Sequence, residues 1–387
     1  VPALAGALFV LWRGSGDVFW HDFGLEAWPA FEALTKGDVA GFLQLSPVYA
    51  GSMTLRAPLA YAAGALGGDD NWIFRAGAIP SVLALAWLGV ALAGKAREHL
   101  SDRVSWMLVL LLCAAGPIAW QAFDYGHPED VLAAAGSVGA VLLARSGRTL
   151  LSGALLGVAI ASKQWALLAV LPAMLAAPSR DLRMLVPAFA IPVLLVAPVW
   201  LADTGGFTQE ARGVAASGTQ FHPHTILWPL AVPGPDLPNG EPGVVAPSWL
   251  SPLPKPLILL AGIAAALAYA RIRRGRPSED ALLLLAVVML MRCVLDPWNL
   301  VYYHLPFLLA LLAWEVHSRR GPVLTLTATA LVWLSFVTYD ARSGAGPFLV
   351  YSAWSLPLLA GLGTRLALGP GALGTLRARA RRRVATA

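Results

Sequence analysis

The sequence predicts an all-α polytopic membrane protein with about twelve transmembrane helices and interfacial helices in its first extracytoplasmic loop. Three observations lead there. Of 387 residues, 57% are hydrophobic and only 13% charged, so the chain lacks the polar surface that a soluble protein of this length needs. Apolar runs recur along it at lengths near the ~20 residues that carry a helix across ~30 Å of hydrocarbon. Lys and Arg collect in alternate connections between those runs, the charge pattern of a chain threaded back and forth through a bilayer.

The runs fall near 1–12, 73–94, 104–121, 130–144, 150–162, 164–177, 184–202, 256–270, 281–295, 300–316, 322–338 and 348–363. The first, "VPALAGALFVLW", is short for a span, which points to a short first helix or to a start lying upstream. No cleavable signal is evident, and an uncleaved first helix would serve targeting. The pair 150–162 and 164–177 is divided by Lys163, so each half is short. No charged segment is long enough for a separate globular unit, and residues 1–366 read as a single transmembrane domain followed by a basic cytoplasmic tail, 367–387. Cys113 and Cys293 both lie inside apolar runs and read as packing residues rather than as a disulfide pair.

One set of connections, "KAREHLSDR", "RSGR", "PSRDLR", "RIRRGRPSED", "HSRRG" and the tail, holds 19 of the 28 Lys and Arg. The positive-inside rule makes this set cytoplasmic. The opposite set includes two long loops, 13–72 and 203–255, with "FDYGHPED", "DPWNLV" and "YDARSGAG", and carries six basic residues against 16 acids. The net charge of +6 is therefore a basic inside added to an acidic outside, which implies membrane lipids as partners and no nucleic acid. Function is expected in the long outer loops.

Within "HDFGLEAWPAFEALTKGD", Phe23, Trp28, Phe31 and Leu34 fall on one helical face and Glu26, Glu32 and Lys36 elsewhere, which predicts an amphipathic interfacial helix over 23–36. Asp22 stands at its start, where an N-cap reading and a catalytic reading are compatible. Further polar residues converge on the same side. "FDYGHPED" supplies Asp124, His127, Glu129 and Asp130, and "DPWNLVYYH" supplies Asp296, Trp298, Asn299, Tyr302, Tyr303 and His304. Structural readings exist for each: interfacial aromatics, solvated loop acids, and Pro128 or Pro297 opening a helix.

Three cations weigh more. Arg75, Lys163 and Arg292 lie near the outer ends of apolar runs, and a cation within a span costs at least ~2.5–3.5 kcal/mol at the bilayer centre unless it snorkels, pairs or binds an anion. Arg292 has Asp296 one helical turn away, and Arg75 has Asp69 and Asp70 close by, while Lys163 has no acid near it in sequence. A lipid phosphate would satisfy such groups at this depth. A carboxylate above the membrane, cations at its rim and aromatic platforms between them are the parts that move a sugar from a lipid phosphate to a hydroxyl.

Four stretches carry a family resemblance: "HDFGLEAWPAFEALTKGD", "LRAPLAYAAGALGGDDNWIFRAGAIPSVLAL", "GHPEDVLAAAGSVGAVLL" with "LLSGALLGVAIASKQWALLAVLPAML", and "LDPWNLVYYHLPFLLAL". In this order the chain resembles the GT-C superfamily of integral-membrane glycosyltransferases, nearest to polyprenyl-phosphate-mannose-dependent mannosyltransferases of glycosyltransferase family 87. The resemblance implies a GT-C-like fold and a bacterial plasma-membrane location. It further implies inverting transfer of mannose or another sugar from a polyprenyl-phosphate donor to a glycolipid or polysaccharide hydroxyl on the extracytoplasmic face. It assigns the base to Asp22, the carboxylate at the mouth of the fourth helix to Asp130 or Glu129, and a lysine to Lys163, which together with the other outer-rim cations, Arg292 and Arg75, is expected to hold the donor phosphate. His127, Asp124, Trp298, Asn299, Tyr302, Tyr303 and His304 are then substrate-binding candidates. No cofactor and no metal are implied, and the His222-Pro-His224 pair reads as incidental. The chain departs from the pattern at Gly126-His127-Pro128-Glu129-Asp130, where related sequences carry Gly-Gln, and in lacking a Tyr soon after Asp22. The rival from another class is a twelve-helix secondary transporter or lipid-linked sugar flippase, which would place polar groups near mid-membrane and show two similar halves. The sequence shows neither.

Overall fold

The computed structural model describes residues 1–16, 18, 21–100, 103–178, 181–215, 221–235, 243–272, 278–338 and 345–369. Of the basic tail, 370–387 lies outside the described residues. The described chain is helical apart from one antiparallel pair of two-residue strands, Val232–Pro233 with Val244–Val245, in the second long loop.

The expected count of about twelve transmembrane helices is corrected. Five helices among the described residues are long and apolar enough to cross a membrane: Ile79–Arg97, Arg103–Asp124, Leu182–Ala202, Pro254–Ile272 and Ala345–Leu368. Other runs form shorter apolar helices, among them Pro2–Gly14, Thr149–Ser162, Gln164–Ala176 and Val323–Val337. Length and burial together account for the surplus: four runs form helices shorter than the ~20 residues a span needs, and three more lie buried among other helices. The runs near 130–144, 281–295 and 300–316 become helices Pro128–Arg145, Asp280–Leu295 and Leu305–His317, whose residues are almost all buried against other helices. A short helix that is apolar all round is a core helix. By its five long apolar helices the protein is a multi-pass membrane protein.

These three core helices position the site. Pro128 opens the first of them, with Glu129 and Asp130 in its first turn and Arg145 in its last, an arrangement that suits the helix dipole. The chain returns along Thr149–Ser162, which ends at Lys163 in extended conformation before a 3₁₀ segment, Gln164–Ala169, leads into Val170–Ala176. Gly157 lets this returning helix press against Leu185–Ala202: a Cβ there would lie 2.5 Å from the Pro187 carbonyl oxygen. Helix Asp280–Leu295 ends, and Leu305–His317 begins, at the end of the bundle where Pro128–Arg145 starts. His127, Glu129, Lys163, Arg292 and Tyr302 therefore meet at one end.

Candidate active site

Asp22 does not act as the expected cap. The chain after it forms a π-helical turn, Phe23–Ala27, continued by the α-helix Trp28–Thr35, so the predicted amphipathic helix is split in two. Phe23, Phe31 and Leu34 bury their side chains as the periodicity predicts, and Glu32 pairs with Lys36 at 2.7 Å on the other face. The Asp22 side chain makes no capping bond. Its Oδ2 lies 2.9 Å from His127 Nε2 instead, with the side chain 39% exposed. Gly126 permits this meeting. It has φ +86°, which favours glycine, and a Cβ would stand 2.6 Å from the Phe23 backbone nitrogen, so the turn before His127 presses directly on the chain beside Asp22.

Behind His127 lies a buried ionic network. Its Nδ1 faces Glu129 Oε1 at 2.7 Å. Glu129 is fully buried, and Lys163 Nζ lies 3.3 Å from the same oxygen while Arg56 Nη1 donates to Oε2 at 3.3 Å. Lys163 also pairs with Asp130 at 3.1 Å, and the indole of Trp165 donates to Asp130 Oδ1 at 3.1 Å. Two carboxylates, Glu129 and Asp130, thus face two cations, Arg56 and Lys163. Such burial is tolerable only because each charge has a partner. The Arg56 guanidinium also lies over Phe31, 5.1 Å from the ring centre, and near Phe74.

Aromatic rings wall the network. The Tyr302 ring lies tilted against His127 at 5.1 Å and against Tyr125 at 5.7 Å, and the Tyr49 ring meets His127 edge-on at 6.4 Å. Lys163 Nζ lies 4.7 Å from the Tyr49 ring, and the Tyr49 hydroxyl donates to Glu26 at 2.9 Å. Arg292 sits beside the same assembly, over Tyr303 at 4.4 Å and Trp165 at 5.1 Å, donating to the Tyr303 carbonyl at 3.3 Å. Its expected partner Asp296 is present but at 3.9 Å, a loose pair. Asp22, His127, Glu129, Asp130, Lys163, Tyr302, Tyr303 and Arg292 are accordingly brought together.

Other predicted residues have different neighbours. Arg75 donates to Ser15 Oγ at 2.6 Å and packs over Trp12 at 3.9 Å and Trp72 at 5.7 Å, against the first helix. Asp124 closes helix Pro117–Asp124. Asn299 is buried and donates to the His224 carbonyl at 2.7 Å, while His304 faces the Tyr351 hydroxyl at 3.0 Å. These belong to a second cluster with Phe336, on which the His224 ring stacks at 3.9 Å. Trp298 meets His222 edge-on at 4.7 Å, so His222 and His224 face different partners.

His127, Glu129 and Asp130 offer ligand atoms within 4.8 Å of one another. The Lys163 ammonium contacts both carboxylates, however, and supplies the positive charge a divalent cation would bring. Sequence reasoning missed Arg56, Glu26, Tyr49 and Trp165. Arg56 had a visible signal: it is a lone charge in "GSMTLRAPLAYAAG", with no acid within about three helical turns.

A multi-pass membrane protein with a charged network at one end of its core helices is the class that fold and site define. The family model for glycosyltransferase family 87 matches residues 55–297, and the chain belongs to that family. No curated protein and no solved structure gave a match. The matched range includes Arg56, His127, Glu129, Asp130, Lys163 and Arg292, whereas Asp22 precedes it.

Proposed function

We propose that this glycosyltransferase moves a sugar, mannose or another hexose or pentose, from a polyprenyl-phosphate donor to a hydroxyl of a glycolipid or polysaccharide, with inversion, on the extracytoplasmic face of the plasma membrane. The observation that carries the reading is a half-exposed carboxylate, Asp22, tied by one oxygen to His127 at the rim of a buried ionic network. Asp22 takes the acceptor's hydroxyl proton as that oxygen bonds to the anomeric carbon. The bond from that carbon to the phosphate oxygen breaks, its electron pair leaves with the phosphate, and attack from the opposite face inverts the configuration. Arg292 and Lys163 receive the phosphate. Arg292 is the freer of the two, since Asp296 is 3.9 Å away, whereas Lys163 already serves two carboxylates at 3.1 and 3.3 Å. Arg75 packs over Trp12 and Trp72 against the first helix and takes no part in the step. Glu129 and Asp130 support the site rather than act as bases, because their charges are already engaged.

The test uses membranes containing the protein, incubated with labelled polyprenyl-phosphate sugars or, separately, with nucleotide sugars. Label passing from the lipid phosphate into glycolipid or polysaccharide is the expected result. Transfer from nucleotide sugars alone would overturn the donor assignment, and transfer from neither would sink the reading.

A further inference from the structure

We propose that His127 works as a doubly protonated imidazolium that holds Asp22 ionised and oriented, and that Glu129 and Arg56 are positioning residues acting through it. The proposal rests on the reading of Asp22 as base. Both ring nitrogens face carboxylate oxygens, Nε2 at 2.9 Å from Asp22 and Nδ1 at 2.7 Å from Glu129. A neutral imidazole has one N–H, so one nitrogen would turn its lone pair toward an oxygen lone pair. Two N–H groups satisfy both contacts. Charge counting agrees: Glu129 and Asp130 are matched by Arg56 and Lys163, which leaves Asp22 and His127 to balance each other.

The groups around the ring fit this state. Asp22 and Glu129 each meet one ring nitrogen, the Tyr302 ring lies tilted beside it at 5.1 Å, Tyr49 stands edge-on, and Lys163 shares with His127 one oxygen of Glu129. Arg56 fixes the far oxygen of Glu129, and with it the direction from which Glu129 meets the ring. In the reaction the hydroxyl O–H bond breaks and its proton goes to Asp22, which becomes neutral as the leaving phosphate gains a negative charge. His127 keeps both protons throughout and acts on the reaction only through the Asp22 carboxylate it holds. Asp22 later returns its proton to water. Because the ring is held from behind, the aim of Asp22 depends on residues that never touch substrate.

The experiment is kinetic, on purified protein in nanodiscs with a labelled polyprenyl-phosphate sugar. His127→Gln should lower kcat roughly ten- to hundredfold, the scale of one charge-assisted hydrogen bond, with donor KM nearly unchanged. The acid limb of its rate profile should move to higher pH, since a carboxylate that loses a cationic neighbour holds its proton more tightly. Glu129→Gln should act in the same direction. In the Asp22→Asn background, His127→Gln should cost nothing further, because its effect passes through that carboxylate. Full additivity of the two losses, or an unmoved acid limb, would overturn the proposal. Retained turnover in Asp22→Asn alone would instead remove the base reading on which it stands. If His127→Gln does not fold, ¹⁵N NMR of the histidine-labelled wild-type protein decides, with the His127 signals assigned through their contacts to the Asp22 and Glu129 carboxylates. Two protonated ring nitrogens at neutral pH support the imidazolium, and one bare nitrogen refutes it.

Discussion

At one end of the core helices, Arg145 reaches Ser278 at 3.3 Å and Glu279 at 3.8 Å, Arg365 faces Asp280 at 3.8 Å, and Glu315 accepts from Leu324 N, Thr325 N and Thr325 Oγ1 at 2.7–2.9 Å. At the other end, Glu129 binds Arg56, Lys163 and His127, and His127 passes on to Asp22. Both ends bury charge, and both rely on partners to make that tolerable. They differ in where the chain of contacts stops. Glu315 closes on backbone and a neighbouring hydroxyl, a helix-start cap whose work is finished when the fold forms. The Glu129 network runs outward and stops at a carboxylate that is 39% exposed. A network that closes on itself explains stability, whereas one that ends at solvent has a group left to use. Substitutions at the two ends should separate these roles.

The largest effect is expected at the open end. Asp22→Asn keeps the shape of the side chain and its contact with His127 but removes the basicity. Turnover should fall by about 10²–10⁴-fold, the usual contribution of a general base, with the protein still folded. Activity assays alongside a thermal unfolding curve in the same detergent check both halves of this. Near-normal turnover would make the exposed end of the network no more functional than the closed one.

The second effect falls on stability. Arg56→Met removes a guanidinium that is 1% exposed and leaves the fully buried Glu129 with less compensation. Loss of one partner of a buried pair costs about 3–5 kcal/mol. Lys163 and His127 still hold Glu129, so the lower figure is expected, read as a drop in the unfolding midpoint. A companion variant, Arg56→Met with Glu129→Gln, should recover part of that loss, and no recovery would mean that Arg56 stabilises through its rings, Phe31 and Phe74, rather than through the ion pair.

How far sequence could see these two ends depends on how far apart the partners lie. Lys163 announced itself by splitting an apolar stretch. His127, Glu129 and Asp130 share one short motif, so their meeting needed only a helix start at Pro128. Arg56 and Glu129 are 73 positions apart, and Asp22 and His127 are 105 apart, so nothing local told which would touch. For the same reason sequence alone does not show that Arg75 meets Ser15, or that Asn299 and His304, close in sequence to Tyr302, contact His224 and Tyr351. Asp22 misled in the opposite way, because its local pattern offered a cap that the π-helical turn does not use. The helix count failed on length and on burial: four apolar runs form helices too short to span, and three more are buried by protein, which hydropathy does not tell from lipid.

Third in size is donor affinity. Lys163→Gln and Arg292→Gln each remove a charge-assisted contact of about 1.5–3 kcal/mol if the phosphate lies between them, which corresponds to roughly ten- to hundredfold weaker donor binding. The structure separates the two. Arg292 is held by aromatic rings and a loose pair, so its loss should weaken the donor with little destabilisation. Lys163 is also the counter-ion of Glu129 and Asp130, so its loss should lower the unfolding midpoint as well. Donor-lipid titration of the purified variants measures the first quantity and thermal unfolding the second. Unchanged donor affinity in both variants would move the phosphate away from this pair.

The smallest effect is the control that gives the comparison its meaning. Glu315→Gln at the closed end keeps an amide oxygen able to accept from Leu324 or Thr325, but loses the charge and one of the two carboxylate oxygens that share three donors. A single hydrogen bond weakened from charged to neutral costs about 1 kcal/mol, and the start of helix Val323–Trp333 should loosen by that amount. Glu315 lies in helix Leu305–His317, whose other end carries Tyr302 and Tyr303 just before its first residue, so a mechanical link to the site exists in principle. The loosened cap is the start of the neighbouring helix Val323–Trp333, and loss of about one hydrogen bond at a helix end opens that end locally while the buried helix Leu305–His317 keeps its packing. Turnover and donor KM should therefore remain at wild-type values while the unfolding midpoint falls by a few degrees. A matching fall in turnover at unchanged folded fraction would show that the two ends are coupled, and would replace the division between a closed structural end and an open functional one by a single device spanning the bundle.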